Sequence, residues 1–315
     1  MAGPVVGVAQ GGRSVEHEVS VRGAWRVRGA LEKAGYEAVP LDLGHTIVDA
    51  IARVRPAFVF VAAHGGEGEG GGLQSLLEML DVPFTGSDSL TSTLCLNKVL
   101  AKRVLVRAGL PTPPFYAFSR ELFTGLGAAS ALGSVQERLA QPFVVKPGRG
   151  GSSFGLRVVH DLDQLRPAIL GAIAYDDEVL IEQFVAGREL AVTVLGPVDE
   201  PHVLAPVEIL SDGGIYDYRA HYEFGGSQMV RAELEPEIAA RVTEVSARAY
   251  RALGCRDIAR IDMILDGAGE PQILELNTIP GLIETGPTPF AAELEGIAFS
   301  DLVLRVAARV VHRSA

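Results

Sequence analysis

The chain has 315 residues, which at roughly 150 residues per domain makes about two domains and at most three. Lys and Arg number 28 against 39 Asp and Glu, a formal net charge of −11, which argues against a nucleic-acid or anionic-membrane binder yet leaves room for a local basic pocket. Hydrophobic residues at 48% exclude a disordered chain, and two cysteines, Cys95 and Cys255, in no CxxC or Cys/His cluster, speak against a disulfide framework or a structural zinc and for a reducing cytoplasm.

The N-terminus, Met1 to Val8, has no basic segment or long apolar run of the signal-peptide kind, and the apolar stretch Pro56 to Ala63 is far below the roughly 18 residues of a spanning helix. Pro4 to Ala9 reads as a strand ending in the glycine turn Gln10-Gly11-Gly12. From Ser14, the residues Val15, Val19, Val21, Trp25, Val27 and Leu31 space out an amphipathic helix that stops near Gly35. Glu37 to Leu41 and Ala57 to Ala63 are further strands, the second apolar throughout as buried parallel strands are, and Leu73 to Leu80 is a short helix. This alternation predicts an α/β layered domain. A helix from Lys98 to Gly109 runs into Pro111-Thr-Pro-Pro114, a linker into a second domain, since prolines at this density cannot continue a helix.

The middle region carries strands at Phe143 to Lys146, Leu156 to Val159 and Val179 to Phe184, with a helix over Leu162 to Ala174. Glu189 to Leu195 opens a third block of strands, and Pro236 to Leu253 is a long helix with Ile238, Val242, Val245, Ala249 and Leu253 at helical spacing. Ala259 to Leu265 and Gln272 to Leu276 form a hairpin across the turn Asp266 to Pro271. In the C-terminal helix Arg305, Arg309 and Arg313 stand four apart, a solvated face that suits the negative end of the helix dipole.

Three constellations carry chemistry. On the hairpin, Arg260 and Asp262 share one face by the period of two, as do Glu275 and Asn277, with Ile261 and Met263 against Leu274 and Leu276 on the apolar side. Two carboxylates and an amide oxygen suit Mg²⁺ or Mn²⁺; as a plain hairpin, the same face is wet, with Arg260 pairing the acids. In Val144-Val145-Lys146-Pro147-Gly148-Arg149-Gly150-Gly151-Ser152-Ser153, a strand delivers a lysine into a glycine-serine loop whose amides can approach phosphate oxygens, unless it is only a hairpin turn. It is not a Walker A loop, where the lysine comes last and a helix follows. Val179 to Val185 is an apolar strand with one acid, Glu182, and Glu189 follows; the set offers a wall and acceptors for adenine and ribose, or merely a solvated strand end.

In order and spacing, Lys146 with its loop, Glu182-Gln-Phe-Val185, Arg260-x-Asp262 and Glu275-Leu-Asn277-Thr-Ile-Pro-Gly281 resemble the ATP-grasp ligases, and over nearly the whole chain the D-alanine–D-alanine ligase family. Gly11-Gly12-Arg-Ser-Val-Glu16, Ala63-His64-Gly65, Leu73-Gln74, Asn97-Lys98 and Tyr216 to Tyr222 resemble that family's other motifs, the last its mobile loop. The resemblance implies an ATP-grasp fold of α/β class with α+β elements. It divides the chain into an N-terminal parallel α/β domain (1–97), a central small α+β subdomain (98–185) and a C-terminal subdomain with a mixed sheet (186–315). It implies an ATP-dependent ligase joining two D-alanines through an acyl phosphate for peptidoglycan synthesis, cytoplasmic, a homodimer, with ATP and two Mg²⁺ or Mn²⁺ ions. Asp262, Glu275 and Asn277 would hold the ions. Lys98, Lys146, Gly151, Ser152 and Ser153 would meet the phosphates, and Glu182, Gln183, Phe184, Val185 and Glu189 the adenosine. Glu16 would bind the first ammonium, with His64 near its carboxylate. Arg260 and the Gly281 amide would steady the tetrahedral intermediate, and Ser152 and Tyr222 would link with Glu16 to orient substrates.

Several positions depart from the family pattern. Asn97 replaces an aspartate, His221 a lysine, and the run Gly65 to Gly72 lacks the aspartate that usually follows its Glu. Gly286 stands where the family's serine helps bind the acceptor carboxylate, with Thr285 or Thr288 as a stand-in. An acceptor other than D-alanine is therefore the alternative ligase reading, and a catalytically silent nucleotide- or amino-acid-binding regulator the third.

Overall fold

The computed structural model describes residues 3–125, 135, 137–151, 154–211 and 227–314. The N-terminal layer is a parallel sheet in the order β2-β1-β3, formed by β1 (Val5–Gly11), β2 (Glu37–Leu43) and β3 (Phe58–Val61). Helices α1 (His17–Lys33), α2 (Ile47–Val54), α3 (Gly66–Glu69) and α4 (Gly72–Met79) accompany it, and α5 (Ser89–Leu96) and α6 (Lys98–Arg107) then lead away from it to pack on the C-terminal layer. Every residue of β3 is buried, which is why it reads as an unbroken apolar run. Helix α1 begins at His17 rather than Ser14: Val15 is exposed, and Glu16 turns inward as the N-cap residue.

The central sheet runs β4-β7-β5-β6 from β4 (Phe115–Ser119), β5 (Phe143–Pro147), β6 (Arg157–Val159) and β7 (Glu178–Gln183), all antiparallel, with α7 (Arg120–Gly125) and α8 (Leu162–Ile173). The third sheet, β11-β10-β8-β12-β13 with β9 beside β8, uses β8 (Gly187–Gly196), β9 (His202–Val203), β10 (Val207–Ser211), β11 (Ser227–Arg231), β12 (Asp257–Asp266) and β13 (Pro271–Asn277). The mixed sheet expected here is antiparallel at every described pairing, because neighbours meet as hairpins and returning strands rather than through βαβ crossovers. Helices α9 (Pro236–Leu253), α10 (Pro287–Leu294) and α11 (Phe299–Ser314) complete the fold. No helix among the described residues is long and apolar enough to cross a membrane.

Cores form where these layers meet. α1, β1 and β3 bury Val27, Leu31, Val8 and Phe60 with Val303 and Val306 of α11, so the N-terminal layer is packed onto the C-terminal helix. A second core joins α5 and α6 to β8, β12 and α9 through Cys95, Leu105, Val192, Ile261 and Tyr250. The cysteines that lie 160 residues apart in sequence meet in it, Sγ to Sγ 3.9 Å, both free and buried. Within this core the fully buried Tyr250 hydroxyl donates to the Gly196 carbonyl at 2.7 Å, fastening α9 to the end of β8. Tyr250→Phe leaves that carbonyl without this donor and is expected to cost on the order of 1–3 kcal/mol, read as a lower urea midpoint at unchanged slope.

Candidate active site

The long β8–β12 register and the β12–β13 hairpin set the floor of the site. Arg260 lies opposite Asn277, and Asp262 opposite Glu275, so the four polar residues come to one face as the alternation requires. Thr193 of β8 pairs with Arg260 and Glu189 with Ile264, which brings Thr193 and Glu189 to the same face. Between Asp262 and Met263 the register slips: Met263 faces Ile273, and Leu274 is the extra residue of a β-bulge. The apolar side is therefore Ile261 and Met263 against Leu276 and Ile273, and Leu274 leaves it. It turns into a cleft that it shares with Lys98, Lys146, Gly151, Glu189, Asp262 and Glu275. Phe154 and Leu156, which sequence reasoning did not single out, add to the apolar wall.

Charge is paired closely around this cleft. Arg260 donates through Nε and a terminal nitrogen to both oxygens of Asp262, at 2.7 and 2.8 Å, and the Asn277 amide donates to Asp262 at 2.8 Å. Lys98 Nζ lies 2.8 Å from Glu275 and donates to the Gly150 carbonyl of the phosphate loop. Burial works against the Glu275 charge, but Lys98 and then Lys146 overcome it and hold its carboxyl down at about 2. Asn97 explains its own departure from aspartate: its Oδ1 accepts from Leu100 N to cap α6, while its amide donates to Glu178 at 2.9 Å, which a carboxylate cannot do.

Lys146 reaches Glu182 at 2.5 Å, and the other Glu182 oxygen lies 2.9 Å from Lys102, all three side chains buried. Glu182 thus sits between two lysines at the back of the site. Lys102 had no place in the sequence argument; its signal is the i,i+4 spacing from Lys98 on a helix whose same face carries apolar residues. Gln183 and Phe184 have their backbone amides committed to the Pro114 and Pro142 carbonyls, and with Val185 they are half-buried beside the cleft rather than in its lining.

A second cluster of polar residues is buried at the N-terminal layer. Glu16 and His64 are buried, with His64 Nε2 3.5 Å from Glu16 and Nδ1–H donating to the Ile279 carbonyl at 2.8 Å. The backbone closes on this carboxylate: a Cβ on Gly65, at φ 77°, would lie 2.0 Å from Glu16 Oε2, and one on Gly151 would lie 2.7 Å from Oε1. The N-terminal motif, the histidine motif and the phosphate loop therefore converge on Glu16. Glu69, buried beside them, accepts from Gly65 N, and burial pushes its carboxyl up against the pull of His64. Gly281 comes close to the His64 ring.

At the far end, Thr285 is exposed and Thr288 is fully buried, its hydroxyl paired with Thr193 at 3.1 Å. Thr288 is therefore not a free replacement for the missing serine. A Cβ on Gly286 would lie 2.9 Å from the Gly281 carbonyl and 3.2 Å from that of Ile283, so the loop leaves no room for one. Ser152, Ser153, His221 and Tyr222 lie outside the described residues.

The oxygen donors of Asp262, Glu275 and Asn277 fit a hard divalent cation: the carboxylates face each other across one strand pair, and Glu275 is held ionised. Among the described residues no three His, Cys, Asp or Glu side chains form a cage of their own, so Asp262, Glu275 and Asn277 leave coordination positions of an ion open to further oxygen ligands.

Lys102 makes the buried charges measurable. Burial lowers its ammonium to about 8, against the opposing charge of Glu182 and with the help of Lys146. The unfolded lysine keeps its proton to about 10.4. Between those pH values the unfolded chain binds more protons, so unfolding free energy rises with pH, by on the order of 3 kcal/mol in full. The difference in urea-derived stability between the parent chain and Lys102→Met should therefore shift toward the parent from pH 8 to 10.5; a difference flat across that window contradicts the shifted lysine.

Lysines and carboxylates are paired around one cleft, and Glu16 and His64 are buried where Gly151 approaches; comparison with known proteins identifies the family. A family model described as the D-ala D-ala ligase C-terminus matches residues 104–307. The D-alanine–D-alanine ligase of Desulforudis audaxviator is 44% identical over 300 residues, 95% of each chain, and that of Moorella thermoacetica 39% identical over 303 residues, 96% of this chain and 97% of the relative. Among solved structures, the D-alanine–D-alanine ligase of Bacillus anthracis complexed with ATP superposes with a TM-score of 0.83 at 28% identity, covering 98% of each chain. The VanG D-Ala:D-Ser ligase of Enterococcus faecalis does so with a TM-score of 0.84 at 27% identity, covering 98% of this chain and 99% of the other. With the ATP-grasp architecture, the spacing of the charged residues and near-complete coverage all in agreement, the chain belongs to the D-alanine–D-alanine ligase family.

Proposed function

We propose that the chain is an ATP-dependent ligase that joins two D-alanines into D-alanyl-D-alanine, ADP and phosphate for peptidoglycan synthesis. The observation that carries this reading is the cleft uniting Lys98, Lys146, Asp262 and Glu275, whose Gly151 also packs against the buried Glu16 carboxylate. A carboxylate resists attack by an amine because of its charge and poor leaving group. Transfer of the γ-phosphoryl group to the first D-alanine gives an acyl phosphate; the second amine attacks the acyl carbon, and phosphate departs with the bond electrons.

In this reading Lys98 and Lys146 leave their carboxylate partners for the phosphates, helped by the amides of the loop through Gly151, Ser152 and Ser153. Glu189 and Leu274 line the adenosine side of the cleft, and Glu182, Gln183, Phe184 and Val185 would meet the adenosine from beside that lining. Glu16 takes the ammonium of the first D-alanine and His64 lies near its carboxylate. Arg260 and the Gly281 amide face the tetrahedral carbon's oxygen, stabilising charge as it develops. Ser152 and Tyr222 extend the Glu16 hydrogen-bond set. Asp262, Glu275 and Asn277 would hold two Mg²⁺ or Mn²⁺ ions, which neutralise phosphate charge when bound. The domain division at 97/98 and 185/186, a homodimer and a cytoplasmic location belong to the same proposal.

A second reading is favoured by one feature: the acceptor end has no serine hydroxyl at Gly286 and no free one at Thr288. It keeps the ATP half and changes the acceptor, to another amino acid or a hydroxy acid. ADP release with Mg-ATP and D-alanine alone, with the product's mass checked, decides between them. Dipeptide formed with turnover supports the first reading; ADP release only with D-serine or D-lactate added supports the second; ATP binding without ADP release under any condition leaves a nucleotide-binding regulator. Glu275→Gln should lower turnover by at least roughly a hundredfold, since it removes a charge proposed to hold the metal against the phosphates.

Restoring the serine is not expected to improve D-alanine as acceptor. Gly286→Ser forces a Cβ against two backbone carbonyls and should cost about 1–3 kcal/mol of stability. Thermal unfolding and the acceptor KM of the variant check both halves of that expectation.

A further inference from the structure

Lys102 is a buried cation for which the proposed reaction has no use. It is fully buried on α6 and is not among the residues that line the cleft. Its ammonium nevertheless joins three parts of the site. It lies 2.9 Å from Glu182 of β7, donates to the Thr112 hydroxyl in the proline linker, and faces the Phe115 ring of β4 at 5.3 Å. Thr112 in turn donates to the Ile273 carbonyl at 2.7 Å, one residue before the bulged Leu274.

Charge arithmetic in this buried group gives the lysine a task. Lys146 and Glu182 by themselves form a neutral pair, and drawing Lys146 away would strand a buried carboxylate, which is costly. With Lys102 the group carries one positive charge in excess. Glu182 keeps a counter-ion when Lys146 departs, and the repulsion between the two lysines weakens the hold of Glu182 on Lys146. The fold keeps this second cation fully buried even though burial disfavours its charge.

We propose that Lys102 is a positioning residue for nucleotide binding: it holds the Glu182 carboxylate in place so that Lys146 is free to move to the phosphates of ATP. The proposal rests on the reading above that Lys146 meets those phosphates. Lys102 acts through Glu182 and not by touching substrate.

Equilibrium binding of ATP to the full chain, alongside steady-state kinetics, tests it with Lys102→Met, Glu182→Gln and the double variant. Lys102→Met is expected to weaken ATP binding roughly tenfold and raise the KM for ATP, with kcat at saturating ATP changed by less than about threefold. In the Glu182→Gln background, where no carboxylate competes for Lys146, the same substitution should change ATP affinity by less than about twofold. Should Lys102→Met alone fail to fold, the double variant removes both charges together, and its affinity must match that of Glu182→Gln. Lower stability with unchanged ATP affinity would make Lys102 merely structural and overturn the proposal. So would an equal loss in both backgrounds. A parent chain that binds no ATP overturns the ligase reading and this inference together, whereas normal binding by both the parent and Lys102→Met overturns the inference alone.

Discussion

The charge around the cleft is organised by how β12 and β13 are paired. Their register sets Asp262 directly against Glu275 and Arg260 against Asn277. Two carboxylates on one half-buried face repel each other unless cations are brought to them. Arg260 answers Asp262 from its own strand, and Lys98 answers Glu275 from the first turn of α6. Lys98 also holds the Gly150 carbonyl, so the same ammonium ties the phosphate loop to the sheet. The need to balance that charge joins the α5–α6 region, the central sheet and the C-terminal sheet around one cleft.

Much of this was legible in the sequence because the periods are simple. The period of two along Arg260-x-Asp262 and Glu275-x-Asn277 is enough to bring the polar residues to one face, and the turn at Asp266 to Pro271 makes the two segments a hairpin. Helix Pro236–Leu253 is legible from end to end because its apolar spacing coincides with a proline start and a glycine stop. The bulge was not legible. Leu274 alternates correctly with Leu276 on paper, and only the one-residue slip, which the tertiary pairing imposes, sends it into the cleft in place of the core. Lys102 escaped for a related reason: a lysine in an amphipathic helix reads as solvent-facing, and nothing local reveals a glutamate 80 residues later that comes to meet it. The meeting of Cys95 and Cys255 is likewise a product of packing α5 against the end of α9.

The surroundings of Glu16 show a constraint of shape where the cleft shows one of charge. Three segments distant in sequence crowd one carboxylate, and two of them do so with glycines whose missing side chains make the approach possible. Gly65 is doubly committed, by its positive φ and by the Glu16 oxygen that occupies the place of a Cβ. A run as glycine-rich as Gly65 to Gly72 looks like a flexible linker in sequence, yet in the fold it carries α3, buries Glu69 and presents an amide to it. Its composition reflects close approach and not slackness.

The two ends of the proposed site are furnished differently. The nucleotide end is dense in paired charge, Lys98 with Glu275 and Lys146 with Glu182. The acceptor end is sparse. Gly286 brings no hydroxyl, the Thr288 hydroxyl is held by Thr193, and Pro287 and Pro289 remove two amide donors from the first turn of α10. Under the proposed reading Arg260 carries most of the polar recognition there, and it is shared with Asp262. A site with few fixed partners rejects a wrong acceptor by shape, and shape alone separates close analogues by about 1–3 kcal/mol. Under the proposed reading Gly286, where the Gly281 and Ile283 carbonyls leave no room for a side chain, is the point at which the backbone and not a side chain would set the choice of acceptor.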